Sequence, residues 1–220
     1  IDNLNNSRIE VLSAISELIG YTPVFIKGDV NDRLLMNEIF STHRPEAVIH
    51  FAAHKAVGES VEQPLEYYYN NVVGLVSLLR AMKSAGCNKL VFSSSCTVYG
   101  EPEQVPVKES TPTRPAASPY GATKQMGEVI LKDNTWLEVQ CLRYFNPVGA
   151  HESSLIGELP LGVPNNLIPY LTQTVAGIRS QLTVHGGDYN TPDGTCIRDY
   201  IHVMDLAEAH VSAISRLFND

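Results

Sequence analysis

Apolar residues fall in short runs separated by polar turns and by stretches with helical spacing. TPVFIKGD (22–29), EAVIHFAA (46–53), KLVFSSS (89–95) and VQCLRYFN (139–146) have strand length and are bounded by turn residues, which predicts four strands. Between them, SRIEVLSAISELIG (7–20), DRLLMNEIFSTH (32–43) and YYNNVVGLVSLLRAMKSAG (68–86) carry apolar residues near helical spacing, with Gly20 and Gly86 where C-terminal caps belong. Runs that are apolar on both faces and alternate with helices predict an α/β fold with a doubly wound parallel sheet. From about residue 151 the chain turns to Gly, Pro and Asn-rich loops, with helical spacing only at LIPYLTQTVAGI (167–178) and after Asp205. This divides it into a first domain over 1–150 and part of a smaller lobe over 151–220. Asp205 with Glu208 predicts a capping box opening the last helix.

Composition narrows the class without naming a function. At 220 residues, 44% hydrophobic and 18% charged, the chain has the apolar material for a sizeable core. Sixteen basic against twenty-four acidic residues give a formal charge of -8. That balance provides no whole-chain footprint for nucleic acid or an anionic membrane. No apolar stretch approaches the ~20 residues that span a bilayer, and a cytoplasmic protein is expected. Cys87, Cys96, Cys141 and Cys196 lie far apart and read as reduced, structural thiols. His43, His50 and His54 lack metal-ligand spacing with a supporting acid, so no metal site is expected. His202 and His210 read as surface or helix-face residues.

The chemistry concentrates around SPYGATK, where Tyr120 and Lys124 stand at i and i+4 in a stretch able to be helical after Pro119. One turn apart, they share a face. A phenol with a reference pKa of about 10 is a poor base at neutral pH, and a nearby ammonium favours the phenolate. Upstream, a predicted strand ends in Ser93, Ser94 and Ser95, at the carboxyl end of a parallel sheet where ligands bind. Three in succession cannot all face one way, which leaves one for chemistry and two for structure. Asp2 and Asn3 end the first visible run, where doubly wound folds place the acid that binds ribose hydroxyls; a turn or cap explains them equally. Asp29 sits beside an adenine or simply ends its strand, and Lys55 approaches ribose or diphosphate oxygens or is a solvated surface lysine.

Together FAAHKAVGES, YYYNNVVG, FSSSCTVYG, SPYGATK, LRYFNPVGAH, PNNLIPY and GTCIRDYIHVMDLA resemble the UDP-glucose 4-epimerases, within the extended short-chain dehydrogenase/reductase family. The resemblance runs from end to end of the chain. It implies a Rossmann-type, NAD-binding first domain and a UDP-sugar-binding lobe. It implies that Tyr120 removes the sugar O4 proton while hydride leaves C4 for tightly held NAD, that the 4-keto sugar rotates, and that hydride returns to its other face. Lys124 would lower the tyrosine pKa and hold the nicotinamide ribose, and Ser95 would bond the reacting hydroxyl. Asp2, Asn3, Asn6 and Ser7 match the adenosine-ribose segment, Asp29 and Val30 the adenine contacts, and Phe51, Ala52, Ala53, Lys55 and Asn70 the remaining dinucleotide site, with Phe145 at the nicotinamide end. For a UDP-hexose substrate, Asn146, Asn166, Leu167 and Arg198 match contacts to the sugar or its diphosphate, with Thr183, Val184 and His185 near uracil. A homodimer pairing the helices at 68–86 and 119–132 is implied as well, although packing on the sheet explains their apolar faces equally.

Two departures leave the catalytic groups in place: Cys96 replaces the family's frequent alanine, and GKSK becomes Gly121, Ala122, Thr123 and Lys124. A third matters more, because no glycine-rich phosphate loop occurs. The chain therefore reads as an internal fragment that starts after the first strand, that loop and the first helix, and that lacks the family's final portion. In strand order 3-2-1-4-5-6 the absent strand is central, so the fragment is expected to fold poorly, to bind NAD weakly and to be inactive alone. Two rivals remain: a related sugar-nucleotide enzyme such as a 4,6-dehydratase or decarboxylase, and an NAD-binding sensor without chemistry. A dehydratase pattern has an Asp-Glu pair near the strand serine, where Cys96 and Thr97 stand here.

Overall fold

The computed structural model describes residues 1–219. The chain forms two compact units: one from 1–3, 25–144 and Ala207 onward, the other from 4–24 and 145–206.

The first unit is built on a parallel sheet of order β1-β2-β3, with β1 Ala47–His50, β2 Lys89–Ser93 and β3 Glu138–Leu142. Residue partners run from Ala47 with Lys89 to His50 with Phe92, and from Lys89 with Glu138 to Ser93 with Leu142. Central β2 is buried on both faces. Leu90 and Phe92 join Met36 and Phe40 of α2 (Arg33–His43), Leu75, Leu78 and Met82 of α5 (Gly74–Ala85) and Leu131 of α6 (Pro119–Asp133). Val91 points the other way, to Ala213 and Leu217 of α8 (Val203–Asn219). Double-sided burial is why the strand reads as an unbroken apolar run.

Local chemistry sets the helix ends. The Asp32 carboxylate accepts from Leu34 N and Leu35 N at 3.0 and 3.1 Å and starts α2. Ser118 Oγ accepts from Gly121 N at 3.1 Å, with Pro119 at the first helical position, and starts α6. Gly20 and Gly86 take left-handed φ of 78° and 73° as C-caps of α1 (Val11–Ile19) and α5, as their sequence positions predict.

Five expectations are corrected. The run 22–29 is not a strand: it contributes one isolated parallel bridge, Asp2 with Lys27, so most of its backbone forms no ladder. The stretch 68–86 is not one α-helix. After α3 (Val57–Glu62) and α4 (Pro64–Tyr67) comes a π-helical segment, Tyr68–Val73, and only then α5. The last helix opens at Val203, so Asp205 lies inside its first turn rather than at a cap. There its charge suits the helix dipole, while His202 Nδ1 accepts from Met204 N at 3.2 Å. His210 is not at the surface; it is 3% exposed. Cys196 is exposed rather than packed.

The second unit holds α1, the parallel pair β4 (Asn146–Val148) and β5 (Tyr200–His202), and α7 (Leu167–Val175). Gly149 has φ 100°, and a Cβ there would lie 2.5 Å from the His202 ring, so this turn requires glycine.

Candidate active site

The serine run at the end of β2 meets α6 side chain by side chain. Ser95 is the N-cap of a 3-10 turn, Cys96–Tyr99, and its Oγ accepts from Thr97 N at 3.2 Å. It also hydrogen-bonds the Tyr120 phenol. Lys124, 4% exposed, donates from Nζ to the Ser93 carbonyl at 2.6 Å. Its ammonium lies 5.1 Å from the Phe92 ring centroid and 5.9 Å from that of Tyr120. Ser93 Oγ pairs with Tyr144 OH, and Ser94 Oγ donates to Glu128 at 2.5 Å. Two of the three serines thus tie the strand end to neighbouring side chains and the third faces Tyr120.

Burial dominates the electrostatics here. It drives the Lys124 pKa from 10.5 down to about 8. It pushes the Tyr120 phenol above its ordinary value, and the Ser95 hydrogen bond offsets this only in part. His50, at the end of β1, is pushed down to about 3 by burial first and the Lys124 charge second. The ammonium sits close to the phenol ring, yet without a further positive charge the phenol is a weak base.

The dinucleotide candidates of the first unit fall in three groups. Asp2 bridges to Lys27, and Asn3 Nδ2 donates to Asp29 Oδ2 at 2.9 Å. Asp29 Oδ1 accepts from Asn31 N and Nδ2 at 2.8 and 3.0 Å, so its carboxylate shapes a turn beside buried Val30. These bonds hold its pKa low despite the opposing effect of burial. Phe51, Ala52, Ala53 and Lys55 follow β1; Phe51 and Lys55 are exposed, and the Phe51 ring lies 4.6 Å from His210. Asn70 lies on the π-helical segment and donates to Asn71 Oδ1 at 2.9 Å.

Sequence reasoning passed over Asn71. Its amide is 8% exposed, brackets the chain after β1 through His54 N (2.8 Å) and His54 O (2.9 Å), and donates to Thr123 Oγ1 at 3.0 Å. Only the double asparagine in an apolar stretch signalled it.

The second unit carries Asn6, Ser7, Phe145 and the substrate candidates. Asn146 contacts Asp199 O through N at 3.3 Å and Nδ2 at 2.8 Å. Asn166 precedes α7 and donates to Glu158 at 3.1 Å, and Leu167 is the first, exposed residue of that helix. Thr183, Val184, His185 and Arg198 are exposed on irregular chain. A groove of about 630 Å³ at the amino ends of β1 and β2, lined by Phe40, Arg44, Ser84 and Cys87 among others, lies away from this chemistry.

Comparison with known proteins places the chain. The model of the NAD dependent epimerase/dehydratase family matches residues 1–220. A UDP-glucose 4-epimerase of Yersinia pestis is 54% identical over 221 residues, covering 99% of this chain and 65% of the relative. One from Neisseria meningitidis serogroup C is 53% identical, covering 100% and 66%. The chain therefore spans just under two thirds of the length of these curated relatives. Among solved structures, a UDP-glucose 4-epimerase from Bifidobacterium longum in complex with NAD+ and UDP superposes with a TM-score of 0.94 at 47% identity, covering 97% of this chain and 65% of that one. Another, from Stenotrophomonas maltophila with bound NAD and formylated UDP-arabinopyranose, gives 0.92 at 49%, with the same coverage.

Proposed function

Because the chain belongs to the NAD dependent epimerase/dehydratase family, we propose that it is the part of a UDP-glucose 4-epimerase that carries the catalytic Tyr120, Lys124 and Ser95. The observation that supports this reading most is the arrangement at the strand end: a phenol and an ammonium one turn apart on α6, the first bonded to Ser95 and the second anchored on Ser93.

The donor set fits a dinucleotide. Lys124 spends one of its three protons on the protein among the described residues, leaving a buried ammonium with donors for ribose hydroxyls. Asp2, Asn3, Asn6, Ser7, Asp29, Val30, Phe51, Ala52, Ala53, Lys55, Asn70 and Phe145 are the proposed NAD contacts. Oxidised NAD, when bound, supplies the hydride acceptor and a positive charge that brings down the phenol pKa. Tyr120 then accepts the proton of the sugar 4-hydroxyl and later returns it, while Ser95 holds that oxygen and Lys124 favours the phenolate. In the second unit, Asn146, Asn166, Leu167, Thr183, Val184, His185 and Arg198 are the proposed UDP-hexose contacts. The planar fork of Arg198 suits two diphosphate oxygens.

The test is interconversion of UDP-glucose and UDP-galactose by the complete protein and by Tyr120→Phe. Turnover lost with NAD retained supports the reading. Undiminished turnover in the variant, or none in the parent, overturns it. We also propose a homodimer through Leu65, Tyr69, Val73, Met126 and Val129, exposed apolar residues on α4, the π-helical segment and α6. A monomeric mass by sedimentation at micromolar concentration would refute it.

A further inference from the structure

Glu128 lies one turn beyond Lys124 and two beyond Tyr120 on α6, so the three share a helix face. Each is tied to one of three consecutive serines: Tyr120 to Ser95, Lys124 to the Ser93 carbonyl at 2.6 Å, and Glu128 to Ser94 Oγ at 2.5 Å. The proposed proton transfer uses the first two and gives the third no task.

That third tie is heavily built. Arg143, directly after β3, reaches Glu128 with both arms of its fork, Nε to Oε1 at 2.8 Å and Nη2 to Oε2 at 2.6 Å. Its guanidinium lies 5.1 Å from the Tyr99 ring centroid and donates to Tyr99 OH at 3.3 Å. The carboxylate and guanidinium side chains are 16% and 25% exposed, and the bond to Glu128 raises the Arg143 pKa above its ordinary value. Apolar contacts such as Leu131 in the core and Gly127 against Phe92 also dock α6. They resist separation but set no unique position along the sheet, because apolar burial is non-directional. A paired, charge-assisted fork fixes distance and direction together.

We infer that Glu128 is a positioning residue for the catalytic pair: held by Ser94 and Arg143, it sets where α6 stands over the ends of β2 and β3, and so the placement of Tyr120 against Ser95 and of Lys124 against Ser93. This rests on the catalytic reading above. A reacting group displaced by about 1 Å costs on the order of 100-fold in rate, which makes such a clamp worth its buried charges.

The test compares Glu128→Gln and Ser94→Ala with the parent and with Tyr120→Phe, all in the complete protein. If the parent is inactive or Tyr120→Phe stays active, the underlying reading fails and takes this inference with it. If that control holds, both variants are expected to lose about 10- to 100-fold in kcat with KM for UDP-glucose changed less than about twofold. The acidic limb of the kcat profile should move to higher pH, because a displaced phenol loses its stabilising partners. Ser94→Ala deletes a single hydroxyl and stays informative where Glu128→Gln fails to fold. Unchanged kcat and an unmoved limb, with only a lower unfolding midpoint, overturn the inference, because a merely structural clamp gives that result.

Discussion

Replacing Lys124 with methionine removes a buried ammonium and should change the pH dependence of stability in a calculable way. In the folded protein the Lys124 pKa falls from 10.5 to about 8 because burial disfavours the charged form. Between those two values the unfolded chain holds a proton that the folded protein has released, so stability rises with pH across the window. The contribution is complete above 10.5 and is lost as pH falls through about 8. Its size is about 3 kcal/mol, at 1.36 kcal/mol for each pH unit. Near neutral pH two effects oppose each other: the variant escapes that cost but leaves the Ser93 carbonyl without its 2.6 Å donor, a loss of about 1–3 kcal/mol. Neutral-pH stability is therefore a poor discriminator and the slope is the good one. Urea unfolding of parent and Lys124→Met without dinucleotide, at about pH 7 and about pH 10, should show the parent gaining about 2.5 kcal/mol on the variant, since the window is not yet complete at about pH 10. Neither neighbour confuses that window: His50 titrates near 3 and Tyr120 above its ordinary 10. Parallel stability curves would refute the reasoning, since they would mean that the ammonium is not desolvated in the folded state. The same substitution is expected to abolish turnover, as a functional group that costs stability should.

His50 supplies an acid counterpart. Its pKa is lowered from 6.5 to about 3 by burial and the Lys124 charge, so its contribution is full above 6.5 and fades as pH falls through that range. His50→Phe should flatten the loss of stability between about pH 6 and pH 4 in a denaturation series; an equally steep loss would contradict the assignment. Gly127→Ala would place a Cβ 2.8 Å from Phe92 Cζ. Overpacking of about 1–3 kcal/mol should outweigh the roughly 1 kcal/mol gained in helix propensity, giving a lower unfolding midpoint. A midpoint at or above that of the parent would show that Phe92 yields freely.

Much of the fold was legible because burial leaves its mark in the chain. Leu90, Val91 and Phe92 form an unbroken apolar run since both faces of β2 are covered there, and Gly20 and Gly86 mark caps that only a left-handed backbone forms. The Tyr120 and Lys124 spacing was equally readable, since i and i+4 on a helix share a face wherever the helix lies. The run at 22–29 was not readable, because a strand exists only through its partners and this one has a single bridge. Nor was the π-helical turn, for its apolar pattern is compatible with an ordinary helix.

The sequence by itself determined the parallel α/β architecture and the placement of Tyr120 and Lys124 one turn apart on one helix, because propensity and periodicity are local properties. Only the tertiary structure decided how the three serines divide their duties. It also buried Lys124 and His50 deeply enough to shift both, and it brought Asn71 to Thr123 and Arg143 to Glu128 from distant parts of the chain. Desolvation and hydrogen-bond geometry depend on what surrounds a group in space, and neighbours far along the chain supply those surroundings.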